Sequence, residues 1–108
     1  MTINELAQIV HQNAKNKGFY PTLSSQVNIA ERLCLIHSEI SEALEAERER
    51  IPFHCVVHGK PEGLGPELAD AIIRILDLTY FLGLDMEKII LEKHEYNLTR
   101  PYKHGKAF

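Results

Sequence analysis

Residues 66–82, PELADAIIRILDLTYFL, decide the fold. Pro66 suits the first turn of a helix and Gly83 closes it, so the stretch predicts a helix running to about Leu82. Its polar residues Glu67, Asp70, Arg74 and Asp77 follow i, i+3, i+7, i+10 and form one stripe. The rest is apolar: Leu68, Ala69, Ala71, Ile72, Ile73, Ile75, Leu76 and Leu78. A helix apolar on nearly every other side is buried, so the stripe is expected to face the inside of an assembly.

Downstream, Asp85 can cap a further helix from Met86 to about Leu98, which Pro101 stops before the tail YKHGKAF. Upstream, residues 51–65, IPFHCVVHGKPEGLG, hold two prolines and three glycines. They read as a loop with at most a short extended piece at His54–His58. From Ile29 to about Arg50 there is neither Gly nor Pro, and Leu33, Ile36, Ile40, Ala43 and Leu44 share a helical stripe behind a plausible N-cap, Asn28. A first helix over residues 3–17, capped by Thr2 or Asn4, ends at Gly18, and GFYPTLSSQVN connects it to the next. No strands joined by turns and no internal repeats are expected. The fold class is all-α: four helices in a single domain, 1–108.

Composition narrows the function. The chain has 108 residues, 12 Lys plus Arg, 15 Asp plus Glu, a net charge of −3 and 44% hydrophobic residues. A domain of this size is expected to bury roughly 65% of its unfolded surface. A mildly acidic chain without a dense basic run is a poor duplex-DNA binder, because phosphate neutralisation needs clustered cations. Two cysteines, Cys34 and Cys55, make no disulfide framework. The start MTINELAQIV lacks a signal peptide's basic and apolar regions, and no segment reaches about 18 apolar residues, so no membrane partner is expected. A cytoplasmic protein with reduced thiols is the expectation.

The acids carry the chemistry. At about 100° per residue, Glu39 and Glu42 lie about 60° apart on the second helix. If antiparallel helices bring this E-x-x-E against the E-x-x-D of Glu67 and Asp70, four carboxylates crowd together. Two unit charges about 4 Å apart repel by about 4 kcal/mol at an effective dielectric of about 20, so the cluster needs protons or a cation. All-oxygen ligation favours Mg²⁺ first and Mn²⁺ second, often shared with substrate phosphates. An isolated E-x-x-E is usually a solvated face; the second pair on an apolar helix changes the balance. Lys93, Asn97 and Arg100 share a face of the last helix and could hold phosphate oxygens. Lys93 and Arg100 could equally just complement the helix dipole.

CLIHSEISEALEAERER (34–50), KPEGLGPELADAIIRILDLTYFLGLDMEKII (60–90) and EKHEYNLTRPYKHGKAF (92–108) together resemble the MazG-like all-α nucleoside triphosphate pyrophosphohydrolases. The resemblance covers roughly residues 29–108. It implies that Glu39, Glu42, Glu67 and Asp70 bind Mg²⁺, that Glu39 and Glu42 take part in catalysis, and that Lys93, Asn97 and Arg100 hold the triphosphate. It also implies cleavage between the α- and β-phosphates, releasing nucleoside monophosphate and pyrophosphate. Many members of that family carry another acid directly before the first motif glutamate and use it to activate water; this chain has Ser38 there. Either a motif glutamate such as Glu39 takes that role, or no separate base is needed. Glu45 points away from the Glu39–Glu42 direction and is expected at the surface.

Other readings differ in testable ways. A di-iron bundle needs Glu-x-x-His pairs, which are absent. His54, Cys55 and His58 offer three potential zinc ligands in one loop, without a closed four-ligand spacing. Cys34 is expected in the core. A non-catalytic helical interaction module and a phosphoribosyl-ATP pyrophosphohydrolase-like enzyme are the alternatives in function. Phe19, Tyr20 and Phe53 are candidates for stacking on a base. Four short helices rarely enclose a nucleotide alone, so a homodimer or homotetramer is expected, with base contacts from the first helix and the Phe19–Asn28 connection.

Overall fold

Side-chain caps fix where three of the four helices begin. In the computed structural model, which describes residues 1–108, Thr2 Oγ1 accepts from Glu5 N at 3.0 Å and opens α1, Ile3–Asn16. Asn28 Oδ1 accepts from Glu31 N at 3.0 Å and opens α2, Ile29–Arg48. Asp85 Oδ1 accepts from Lys88 N at 3.2 Å and opens α4, Met86–Leu98. Each satisfies an amide that the helix itself leaves orphaned. α3, Leu64–Phe81, has no side-chain cap; it starts two residues ahead of Pro66, which sits in its first turn. Short 3₁₀ turns cover Ser24–Gln26 and Tyr102–Gly105.

Residues 51–65 differ from the expected loop. β1, Cys55–Val57, pairs antiparallel with β2, Lys60–Glu62, in the register Cys55↔Glu62, Val56↔Pro61 and Val57↔Lys60. His58 and Gly59 have φ of 51° and 79°, and a two-residue turn with both φ positive matches the twist of paired strands. Pro61 lies in a strand with only one neighbour, so its missing amide costs no second ladder. The dipeptide His58–Gly59 was the available signal for this hairpin.

α3 is the central element, with α2 along one side and α1 along another. Residues rising along α2 meet residues falling along α3, Glu39 with Arg74 and Glu42 with Glu67, so the two run antiparallel. α1 runs antiparallel to α3 as well, with His11 against Asp77 and Asn4 against Asp85 just beyond α3's end. α4 docks on the first turn of α1: Asn4 Nδ2 donates to Asp85 Oδ1 at 2.8 Å and Asn4 N to Glu87 Oε1 at 2.9 Å. The four helices thus form a three-helix layer with α4 attached at one end.

The core is thin. Its buried hydrophobic members are Ala7, Ala43, Ala46, Ala71, Leu76 and Leu78. α2 and α3 approach through the small residues Ala43, Ala46 and Ala71, so the burial expected of Leu33, Ile40 and Leu44 is not found: Leu44 is 56% exposed. α3 likewise shows Leu68, Ile72 and Ile75 to solvent, a stripe at i, i+4, i+7. Cys34, expected inside, is exposed. The accessible surface is 8348 Å², against about 6,100 Å² for a monomeric protein of 12.3 kDa. The radius of gyration is 16.4 Å, against about 13 Å for a compact domain of this length. A single copy therefore buries less than the expected fraction, and many large aliphatic side chains are left exposed. No helix is long and apolar enough to cross a membrane.

Candidate functional site

The antiparallel α2–α3 pair brings the two acidic motifs together. One carboxylate oxygen each from Glu39, Glu67 and Asp70 lies within 4.8 Å of the others, the only such gathering of Asp, Glu, His or Cys donors. Glu39 is buried, Glu67 half-buried and Asp70 exposed, so the set grades from the helix interface out to solvent. Glu42 adjoins it from the next turn of α2. Its carboxyl is held above the usual carboxylate range, first by hydrogen bonding with Glu67, then with Glu39, and then by the Glu39 charge. A carboxyl hydrogen-bonded among other carboxylates holds its proton more tightly, because ionising would add a like charge beside them. Arg74, the third member of the α3 stripe, donates from Nε to Glu39 Oε1 at 2.6 Å and neutralises the buried acid.

The last member of the stripe, Asp77, serves a different purpose. His11 Nδ1 lies 2.8 Å from Asp77 Oδ1, with both side chains nearly buried. The His11 ring packs edge-on against Tyr20 at 4.7 Å and lies 5.2 Å from Tyr80. Burial chiefly, and the neighbouring Asp77 carboxylate, push the Tyr20 phenol well above its ordinary value; its hydroxyl is buried without a hydrogen-bond partner. Arg32 stacks over the Tyr20 ring, 4.4 Å from its centroid, and donates to the Phe19 carbonyl. The connection after α1 is therefore tied to α2 and α3 by aromatic and cation–π contacts.

Two cavities border Asp70. One of about 250 Å³ lies between α1, α2 and α3 and is lined by Val10, Asn13, Ala14, Phe19, Arg32 and Ile73 together with Glu39, Asp70, Arg74 and Asp77. The other, an open groove of about 610 Å³, lies against the hairpin and is lined by His54, Lys60, Pro61, Gly65, Pro66, Ala69, Asp70 and Ile73.

Of the residues expected from sequence, Glu39, Glu42, Glu67 and Asp70 come together. Lys93, Asn97 and Arg100 do not join them within one chain: α4 docks on α1, and none of the three lines either cavity. Lys93 and Arg100 instead flank the Tyr96 ring, at 4.9 and 5.8 Å, and Asn97 Oδ1 is buried without a hydrogen-bond partner. Ser38 Oγ donates to the Leu35 carbonyl at 2.6 Å. His54, Cys55 and His58 do not gather into a metal set; Cys55 Sγ donates to the Glu62 carbonyl across the hairpin. Phe19 lines the smaller cavity, whereas Tyr20 belongs to the aromatic cluster and Phe53 is exposed. Sequence reasoning missed Arg32, Asn13 and the pairing role of Arg74. The signal for Arg32 was its position seven residues before Glu39, on the face of α2 that continues through Ala43 and Ala46. Comparison of the chain with protein-family models, with curated proteins and with solved structures finds no match.

Proposed function

We propose that the chain is a Mg²⁺-dependent nucleoside triphosphate pyrophosphohydrolase of the MazG-like type, cytoplasmic and acting as a homodimer or homotetramer. The observation that carries this reading is the convergence of Glu39, Glu67 and Asp70 on one point between two antiparallel helices, with a cavity on either side. The donors fit the ion: they are all carboxylate oxygens, which select hard divalent cations, Mg²⁺ before Mn²⁺. Glu39, Glu42, Glu67 and Asp70 would hold it. Bound there, Mg²⁺ neutralises triphosphate charge, polarises the α-phosphorus and lowers the pKa of the attacking water.

In the reaction, a P–O bond forms from water to the α-phosphorus as the α–β bridge breaks, and pyrophosphate leaves. Of the two motif glutamates that would take the proton of the attacking water, Glu39 has one oxygen engaged by Arg74, and Glu42 is exposed but hydrogen-bonded with Glu67 and Glu39, contacts that a bound cation would displace. Arg32 and Arg74 line the cavity beside the acids and can offset phosphate charge there. Lys93, Asn97 and Arg100 would reach the triphosphate from a second copy of the chain. The aliphatic stripes left open on α2 and α3, and the excess accessible surface, support assembly. Sedimentation of a stable monomer would count heavily against it.

The test is a pyrophosphate-release screen over canonical, deoxy, oxidised and methylated nucleoside triphosphates with Mg²⁺ or Mn²⁺. Turnover of at least one substrate is expected, lost by about 100-fold or more in Glu42→Ala and Asp70→Ala. The second reading, a non-catalytic interaction module, has one observation in its favour: Arg74 already compensates Glu39. It predicts no turnover of any triphosphate.

A further inference from the structure

Asp70 and Ile73 border both cavities, and the two chambers differ in chemistry. The smaller one has apolar walls in Val10, Ala14 and Phe19, with the Asn13 amide, the Arg32 guanidinium and the His11-paired Asp77 carboxylate as polar groups on that side. An aromatic face, aliphatic walls and an amide suit a base and sugar. The hairpin groove has no Phe, Tyr or Trp in its lining, and its only lining carboxylate is Asp70. Its polar side chains are otherwise His54 and Lys60, set beside Pro61, Pro66, Ala69 and Ile73.

We infer that the two chambers divide a nucleoside triphosphate at Asp70: the nucleoside and α-phosphate occupy the α1–α2–α3 cavity, and the hairpin groove receives the pyrophosphate end through Lys60 and His54. This rests on the hydrolase reading above and adds to it which residues hold the leaving group. Lys60 Nζ lies 3.4 Å from Glu62 Oε1 in an exposed pair, a weak tie that a phosphate oxygen can displace. The hairpin is held in place to present it. Gly65 N donates to the Phe53 carbonyl at 2.8 Å, and a Cβ on Gly65 would come within 2.9 Å of that oxygen, so α3 and the base of the hairpin are in backbone contact.

The test is calorimetry of the full-length protein with Mg²⁺ plus pyrophosphate and, separately, Mg²⁺ plus each nucleoside monophosphate. Lys60→Ala and His54→Ala are expected to weaken pyrophosphate by about ten-fold while the best-bound monophosphate stays within about two-fold, and Phe19→Ala to do the reverse. Lys60 and Phe19 are solvent-exposed, so these variants keep the fold, and circular dichroism melting checks it. The division is overturned if Lys60→Ala binds pyrophosphate as the wild type does, or if both ligands weaken equally in every variant. A wild type that binds both products in this pattern but releases pyrophosphate from no triphosphate would sink the hydrolase reading while supporting the two-chamber one.

Discussion

Arg74 donates from Nε to Glu39 Oε1 at 2.6 Å, joining α3 to α2 through the one member of the acidic set that is buried. The guanidinium holds the place in the charge balance that a divalent cation would share. Without a cation, Arg74 is the positive group that Glu39 pairs with at a helix interface built from alanines.

Arg74→Ala is therefore expected to destabilise the metal-free protein by about 1–3 kcal/mol, because an unpaired carboxylate stays at the interface. The partial exposure of Arg74 keeps the figure at that scale. Mg²⁺ should restore more stability to Arg74→Ala than it adds to the wild type. Thermal denaturation in chelator and in millimolar Mg²⁺ measures both increments, and equal increments would show that the cation and Arg74 do not act on the same carboxylate.

Tyr20 makes the fold sensitive to alkaline pH. Its phenol is held neutral in the folded chain by burial and by Asp77, above the ordinary value of 10.0. A raised folded-state value means that the contribution is fully present below about pH 10 and is lost as pH rises further, because the unfolded chain then releases the proton first. Tyr20→Phe removes this term. Since the hydroxyl has no hydrogen-bond partner, the variant should match or slightly exceed the wild type at pH 7, and its advantage should grow above pH 10. Denaturant midpoints of both proteins at pH 7 and pH 10.5 check this; a constant difference would argue against it.

How much of this was legible in the sequence depended on the range of the interaction. Asn28 and Asp85 cap their helices as their positions suggested, because capping is decided within four residues. The polar stripe of α3 was legible for the same reason; Arg74 and Asp77 turn to α2 and α1, whereas Asp70 is exposed and the apolar surroundings that suggested a buried helix leave Leu68, Ile72 and Ile75 in solvent. Which face of α2 would be buried was not. The periodicity favoured Leu33, Ile36, Ile40, Ala43 and Leu44; Ala43 is buried and Ile36 half-buried, but Leu33, Ile40 and Leu44 are exposed and Ala46 is buried in their stead, because small residues permit the close approach that brings Glu39 to Arg74. The placement of α4 away from the acids was also illegible, since it turns on Asn4, more than 80 residues away in sequence from Asp85 and Glu87. Lys93, Asn97 and Arg100 share a helical face as expected, but a face does not say which chain it serves.

Asn4 should therefore control α4 separately from the rest of the fold. Its side chain bonds Asp85 Oδ1 and accepts from Glu87 N at 3.3 Å, and its backbone amide reaches Glu87 Oε1. Asn4 and Lys88 together hold the Asp85 carboxyl below its usual range, Asn4 being the larger cause. Asn4→Ala is expected to speed amide exchange across Met86–Leu98 by about ten-fold, roughly one lost hydrogen bond's worth, with α2 and α3 unchanged. The depressed Asp85 value gives the same clamp a pH signature: its contribution is present above about pH 4 and is lost as pH falls through the folded-state value, so α4 should loosen first in acid. Uniform loss of protection over all four helices would mean that α4 is not an independent unit.

Gly63 is the position at which the hairpin and the acidic helix depend on one residue. It precedes Leu64 with φ of 109°, a conformation that side chains rarely adopt, and a Cβ there would lie 2.1 Å from the Pro52 carbonyl oxygen and 2.9 Å from that of Phe53. Both obstacles are backbone, so neither can rotate aside. Gly63→Ala must therefore shift the chain at Pro52–Phe53, lift the hairpin from the start of α3, or unwind the first turn that carries Glu67. A loss of about 2–4 kcal/mol is expected from strain and overpacking together. Gly59→Ala is the control: its φ is also positive, at 79°, but no atom lies within 4 Å of the added carbon. It should cost about 1 kcal/mol, confined to the turn. Equilibrium unfolding of the two variants separates the terms. If Gly63→Ala were no worse than Gly59→Ala, the close approach of α3 to Pro52–Phe53 would not be what seats the hairpin beside Asp70.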